Sequence, residues 1–128
     1  MSDQLQDAAP LKGKRCLVLE DEFLIAIDIG RILESLGAVE AVCTQQTDEA
    51  LAEIAKAPFD FAVLDFKLEA KDSLEVAGQL QARAVPFVFV TGAPPNATDL
   101  SRFPGVPVLE KPFELAALKE AIARLLGP

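Results

Sequence analysis

The sequence predicts an α/β domain, a parallel five-stranded sheet wound on both faces by helices. Three observations carry the prediction. Short apolar runs alternate along the chain with amphipathic stretches, the order that right-handed βαβ crossovers produce. The runs are continuously apolar, as strands covered on both faces must be. The chain has 128 residues, 51% hydrophobic and 25% charged, which suits one folded domain with one core.

Each element follows from its residues. Residues 1–13 are polar, carry Pro10 and Gly13 and lack periodicity, so they read as a loose leader before a domain spanning 14–126. Cys16-Leu17-Val18-Leu19 is the first strand. A helix over 22–36 follows, with Leu24, Ile25, Ile29, Ile32, Leu33 and Leu36 near helical spacing and Gly37 as its stop. Residues 38–43 form the second strand. Thr47 caps a helix through Lys56, with Asp48 and Glu49 in the first turn, where the dipole favours anions. The third strand runs over 59–66, and a third helix over 72–84 turns Leu74, Ala77 and Leu80 inward. Residues 86–90 make the fourth strand, which runs into Thr91-Gly92, and 106–109 make the fifth. The last helix covers 113–126. Pro94, Pro95, Pro104 and Pro107 leave only 96–102 for a helix between strands four and five, so a short or disordered fourth helix is expected there. Five strands in this succession suit the flavodoxin-like order 2-1-3-4-5.

Composition excludes several functions. Lys and Arg number 12 against 20 Asp and Glu, a net charge of −8. That balance argues against nucleic acid and against an anionic membrane as partners, since both attract basic surfaces. The chain has no histidine, which removes Ser-His-Asp and Cys-His catalysis, His-ligated zinc and imidazole proton transfer. It has no Trp or Tyr, which leaves few rings for base stacking. Cys16 and Cys43 form neither a disulfide framework nor a Cys-x-x-Cys site, and they read as buried, inert thiols. No apolar stretch reaches membrane-spanning length and no signal-like segment opens the chain. A reducing, cytoplasmic setting fits.

What remains for chemistry gathers at the strand ends. Glu20 and Asp21 follow strand one, Asp65 closes strand three, Thr91 closes strand four and Lys111 closes strand five. Parallel strands put all five on one edge of the sheet, the edge where doubly wound folds build their sites. Three converging carboxylates repel one another unless a cation offsets them. Oxygen-only ligation selects a hard ion, and Mg²⁺ suits best, because it takes a few carboxylates, waters and a phosphoryl oxygen. A lysine beside the acids supplies a point charge for that phosphoryl group. A carboxylate can also accept the phosphoryl group as nucleophile. Asp65, on the central side of the crevice, is the candidate, with Glu20 and Asp21 holding the metal.

With these residues in place, the sequence resembles the receiver domain of two-component response regulators. The matching positions are Glu20-Asp21 in Val18-Leu19-Glu20-Asp21-Glu22, Asp65 in Ala62-Val63-Leu64-Asp65, Thr91-Gly92, and Lys111-Pro112-Phe113, across about 14–126. The resemblance implies that Asp65 takes a phosphoryl group from phosphohistidine on a histidine kinase or phosphotransfer protein. Lacking histidine, the chain cannot carry that donor itself. The resemblance further implies direct Mg²⁺ ligation by Asp21 and Asp65, a water-mediated role for Glu20, and the Lys67 carbonyl as another ligand. It implies that Lys111 pairs with a phosphoryl oxygen, that Thr91 hydrogen-bonds to it, and that the Lys111-Pro112 peptide is cis, a geometry essentially confined to X-Pro.

Departures from the pattern sharpen the reading. Receivers commonly carry Tyr or Phe three residues before the lysine, where this chain has Val108. That puts the usual coupling of the ring to the threonine in question. Phe87-Val88-Phe89-Val90-Thr91-Gly92 partly matches an atypical subgroup with a Phe-Ala-Thr-Gly motif, with Val90 for Ala and Ala93 in the last place. The glycine eight residues after the acceptor is Ser73, which reads as a helix cap. Phe23, Phe59, Phe61 and Phe87 read as core.

Two roles fit the acceptor, a switch that changes protein contacts, or a phosphate sink or relay intermediate without conventional output. An aspartate-based phosphatase would need a second Asp two residues after the nucleophile, where Lys67 stands. Catalysis is thus expected only of the chain's own phosphorylation and dephosphorylation. Only Gly127 and Pro128 follow the last helix, so no output domain is expected.

Overall fold

A computed structural model describes residues 9–66, 73–92 and 102–127. Strands β1 (Arg15–Leu19), β2 (Glu40–Thr44), β3 (Phe61–Asp65), β4 (Phe87–Thr91) and β5 (Val108–Glu110) form one parallel sheet in the order β2-β1-β3-β4-β5. Among the described residues, helices are α1 (Phe23–Ser35), α2 (Thr47–Lys56), α3 (Leu74–Ala82) and α4 (Leu115–Leu126). This is the flavodoxin-like topology that the alternation of elements predicts. The segment 96–101, where a short helix is expected, lies outside the described residues.

Register decides which side chains share a face. Cys16 pairs with Phe61 and Val18 with Val63, and these pack with Val88, Val90 and the inner stripes of α1 and α4. Leu17 pairs with Ala62 and Leu19 with Leu64, and these pack with Phe87, Phe89 and the stripes of α2 and α3. Both faces of β1, β3 and β4 are therefore covered, which explains their unbroken apolar sequences. Cys16 is buried and Cys43 half-buried, both as free thiols. Burial pushes the Cys16 thiol up to about 12, with the Asp60 charge adding to it, and raises Cys43 as well, so neither ionises readily.

Four local expectations change. Residues 9–13 are not loose. Leu11 is fully buried in the α1–α4 core, its N–H donates to the Leu36 carbonyl at 2.9 Å, and Gly13 N–H donates to the Gly37 carbonyl at 3.3 Å. The close approach requires glycine at 37, where φ is +109° and a Cβ would lie 2.8 Å from the Lys12 nitrogen. Phe23 is 59% exposed, because it is the first residue of α1, at the strand-end edge beyond the layer that the helix buries. Thr47 does not cap α2. The Glu49 carboxylate accepts the N–H of Gln45 and of Gln46 at 3.0 and 3.1 Å, while Thr47 is buried inside the first turn. Ser73 precedes α3 without a side-chain cap, and its hydroxyl donates back to the Phe66 carbonyl at 3.3 Å.

Candidate functional site

The carboxyl ends of the parallel strands bring four of the predicted residues into contact. Glu20 follows β1, its N–H donating to the Thr44 carbonyl of the adjacent β2 at 3.0 Å. The Glu20 side chain is fully buried, and its Oε2 accepts the N–H of Glu22 at 3.0 Å. Asp65, 4% exposed, ends β3 in register with Val90, so it stands on the α1–α4 face beside the β1 terminus. Carboxylate oxygens of Glu20, Asp21 and Asp65 lie within 4.8 Å of one another. Lys111, just past β5, is anchored by its N–H to the Thr91 carbonyl at 2.7 Å. Its Nζ reaches 2.6 Å from Glu20 Oε1 and 3.2 Å from Asp65 Oδ2.

This ammonium explains how three acids share one crevice. Burial alone pushes carboxylates toward the neutral form. For Glu20 burial dominates and lifts the carboxyl from 4.5 to about 7, with the Asp65 charge adding to it and the Lys111 and Glu22 hydrogen bonds opposing it. Burial lowers Lys111, but the hydrogen bond to Glu20 and the charges of Asp65 and Glu20 outweigh it, so the net shift is upward and the ammonium persists. One lysine thus stands against three carboxylates. The remaining negative charge, all on oxygen, suits a hard divalent cation such as Mg²⁺, and the residues present fit that ion.

Thr91 ends β4 and is 3% exposed at the same edge. The Lys111-Pro112 peptide is cis, as expected. Lys67 and Ala93 lie outside the described residues. Sequence reasoning missed Gln45, whose Nε2 donates to the Asp21 carbonyl at 3.2 Å and steadies the β1 exit. Its signal was available, since Gln45 also follows a strand end. Leu24 at 74% and Leu115 at 47% exposure are apolar residues at the first turns of α1 and α4, as is Phe23. No helix among the described residues is long and apolar enough to cross a membrane.

The order of strands and the acid–threonine–lysine set define a class, and comparison with known proteins agrees. The response regulator receiver domain model matches residues 16–123, so the chain belongs to that family, the receiver domains of two-component signalling. Among solved structures it is similar to SdrG from Sphingomonas melonis Fr1, at 37% identity and TM-score 0.71, over 92% of this chain and 98% of that one. It also resembles PhyR from Brucella abortus, at 27% identity and TM-score 0.74, over 98% of this chain and 53% of that one. The receiver domain of PhyR from Erythrobacter litoralis shares the fold, at 22% identity and TM-score 0.73. Among curated proteins it is 30% identical to the transcriptional regulatory protein PdtaR of Mycobacterium tuberculosis over 95% of this chain. It is 29% identical to the transcriptional regulatory protein CrdR of Helicobacter pylori over 89% of this chain. The chain spans 55% of CrdR and 61% of PdtaR.

Proposed function

We propose that Asp65 is a phosphoacceptor that takes its phosphoryl group from phosphohistidine on a histidine kinase or phosphotransfer protein, and that the modified chain changes its contacts with a protein partner. The observation that supports this most directly is the placement of Lys111 Nζ within 3.2 Å of Asp65 and 2.6 Å of Glu20, at the rim of a three-carboxylate cluster. Glu20, Asp21 and Asp65 would hold Mg²⁺, which when bound offsets charge on the phosphoryl oxygens. TrrA from Thermotoga maritima, 27% identical to this chain, is described in complex with Mg²⁺ and a beryllium fluoride, which supports the same ion here.

The chain's residues then have defined tasks. An Asp65 carboxylate oxygen bonds to phosphorus as the phosphorus–nitrogen bond to the donor imidazole breaks, and the imidazole keeps the electron pair. Lys111 exchanges part of its pairing with Asp65 for a phosphoryl oxygen, so its charge follows the negative charge as that charge moves. The Thr91 hydroxyl, at the same edge, donates to another phosphoryl oxygen. With no histidine in these 128 residues, the donor imidazole lies outside this domain.

The test is incubation with Mg²⁺ and a small phosphodonor, read by intact mass. The wild type gains one phosphoryl group and Asp65→Asn gains none. Equal labelling of the two would remove Asp65 as the acceptor.

A further inference from the structure

Four phenylalanines form a connected chain of rings on the α2–α3 face of the sheet. Phe66 meets Phe89 edge-to-face, with centroids 5.2 Å apart and planes at 89°. Phe89 meets Phe103 at 5.8 Å and 72°. Phe87 braces both, at 5.4 Å from Phe89 and 5.9 Å from Phe103. All four are buried, and burial alone would explain apolar rings in a core.

Their places in the chain add a second fact. Phe66 directly follows Asp65, and its backbone is fixed on both sides. Its N–H donates to the Val90 carbonyl at 2.8 Å, and its carbonyl accepts the N–H and the hydroxyl of Ser73, each at 3.3 Å. Phe66 is thus the residue through which a shift of the Asp65 backbone would reach the α2–α3 face. Phe103 lies at the other end, in the turn that leads to β5, where its carbonyl accepts the Val106 N–H at 3.3 Å. Phe89 joins the two ends. Its ring touches both Phe66 and Phe103, and its N–H donates to the Pro107 carbonyl at 2.9 Å. Rings packed edge to face at core density pass on a displacement that a loose contact would absorb. β5 itself offers no ring, since Val108 is half-buried there.

We propose that the Phe66–Phe89–Phe103 ring chain couples the state of Asp65 to the turn at 102–106, so that phosphorylation repositions the surface ahead of β5. The inference rests on the phosphoacceptor reading of Asp65. It names Phe89 as the hub, because among the ring pairs of the described residues Phe89 is the one that meets both Phe66 and Phe103.

The test uses the full chain with isotope-labelled phenylalanine, compared by NMR before and after Mg²⁺ and a small phosphodonor, with intact mass taken on the same samples. In the phosphorylated wild type, the Phe103 ring and the 102–106 amides shift. In Phe89→Leu those shifts collapse while the mass shows equal phosphorylation. Phe103→Leu, at the end of the chain of rings, guards against misfolding of the hub variant. At an unchanged fold by NMR and equal phosphorylation by mass, the 102–106 amide shifts shrink in this variant too, and shifts of wild-type size there overturn the ring route. A phosphorylated wild type with an unmoved Phe103 ring overturns the coupling and leaves the acceptor reading standing. Shifts at 102–106 that survive Phe89→Leu overturn the ring route. A wild type that gains no phosphoryl group removes the acceptor reading, and the coupling falls with it.

Discussion

Deprotonating Glu20 should weaken the fold, and the site gives both the sign and the size. The carboxyl is fully buried, and burial lifts it from 4.5 to about 7. Between those values the folded chain holds a proton that the unfolded chain has released. The contribution of Glu20 to stability is therefore fully present below about 4.5 and is lost as the pH rises through about 7. At about 1.4 kcal/mol per pH unit, that gap corresponds to a loss on the order of 3 kcal/mol. Urea unfolding of wild type and Glu20→Gln from about pH 4.5 to about pH 8, without divalent cations, reads the effect, because the variant keeps the neutral shape of the side chain and cannot ionise. The two should be nearly equal in stability at the acid end, and the variant should be more stable by that amount at the alkaline end. Mg²⁺ added at the alkaline end should recover stability in the wild type, since the ion favours the ionised carboxylates. Profiles that run parallel across the window would refute the reasoning.

Three further outcomes follow from named contacts. Lys111→Met removes the ammonium that faces Glu20 and Asp65 at 2.6 and 3.2 Å; urea unfolding at neutral pH should show a loss of about 2–4 kcal/mol, smaller when Mg²⁺ is present. Gly37→Ala places a Cβ 2.8 Å from the Lys12 nitrogen at a φ of +109°, and a drop of more than about 1 kcal/mol in thermal or urea unfolding is expected. Leu11→Ala empties a fully buried site in the α1–α4 core. A loss of about 2–5 kcal/mol would confirm that residues 9–13 belong to the folded core, and a loss near zero would return them to the leader.

The sheet was legible because its signal is strong and simple. Strands covered on both faces leave unbroken apolar runs such as Phe61-Ala62-Val63-Leu64, and alternation with helices then restricts the topology to few choices. The meeting of Glu20, Asp21, Asp65 and Lys111 was legible for the same reason, since parallel strands send their ends to one edge. What escaped depends on neighbours distant in sequence. Leu11 looks like part of a polar leader until its contacts with Leu36 and the α1–α4 core exist. Thr47 has the better intrinsic capping side chain, yet the Glu49 carboxylate and the burial of the first turn place the start of α2 one residue earlier. Phe23 has a core residue's chemistry and an edge residue's position. Gln45 follows a strand end, a position the sequence does mark, but its contact is with the Asp21 backbone, which no periodicity announces.

The most direct test of the central claim locates the phosphoryl group on the chain. After reaction with Mg²⁺ and a small phosphodonor, borohydride reduction converts an aspartyl phosphate to homoserine, which peptide sequencing by mass spectrometry assigns to a position. Homoserine is expected at position 65, dependent on Mg²⁺ and lost in Asp65→Asn. Homoserine at Asp21 or Asp60, or equal labelling without the metal, would contradict it.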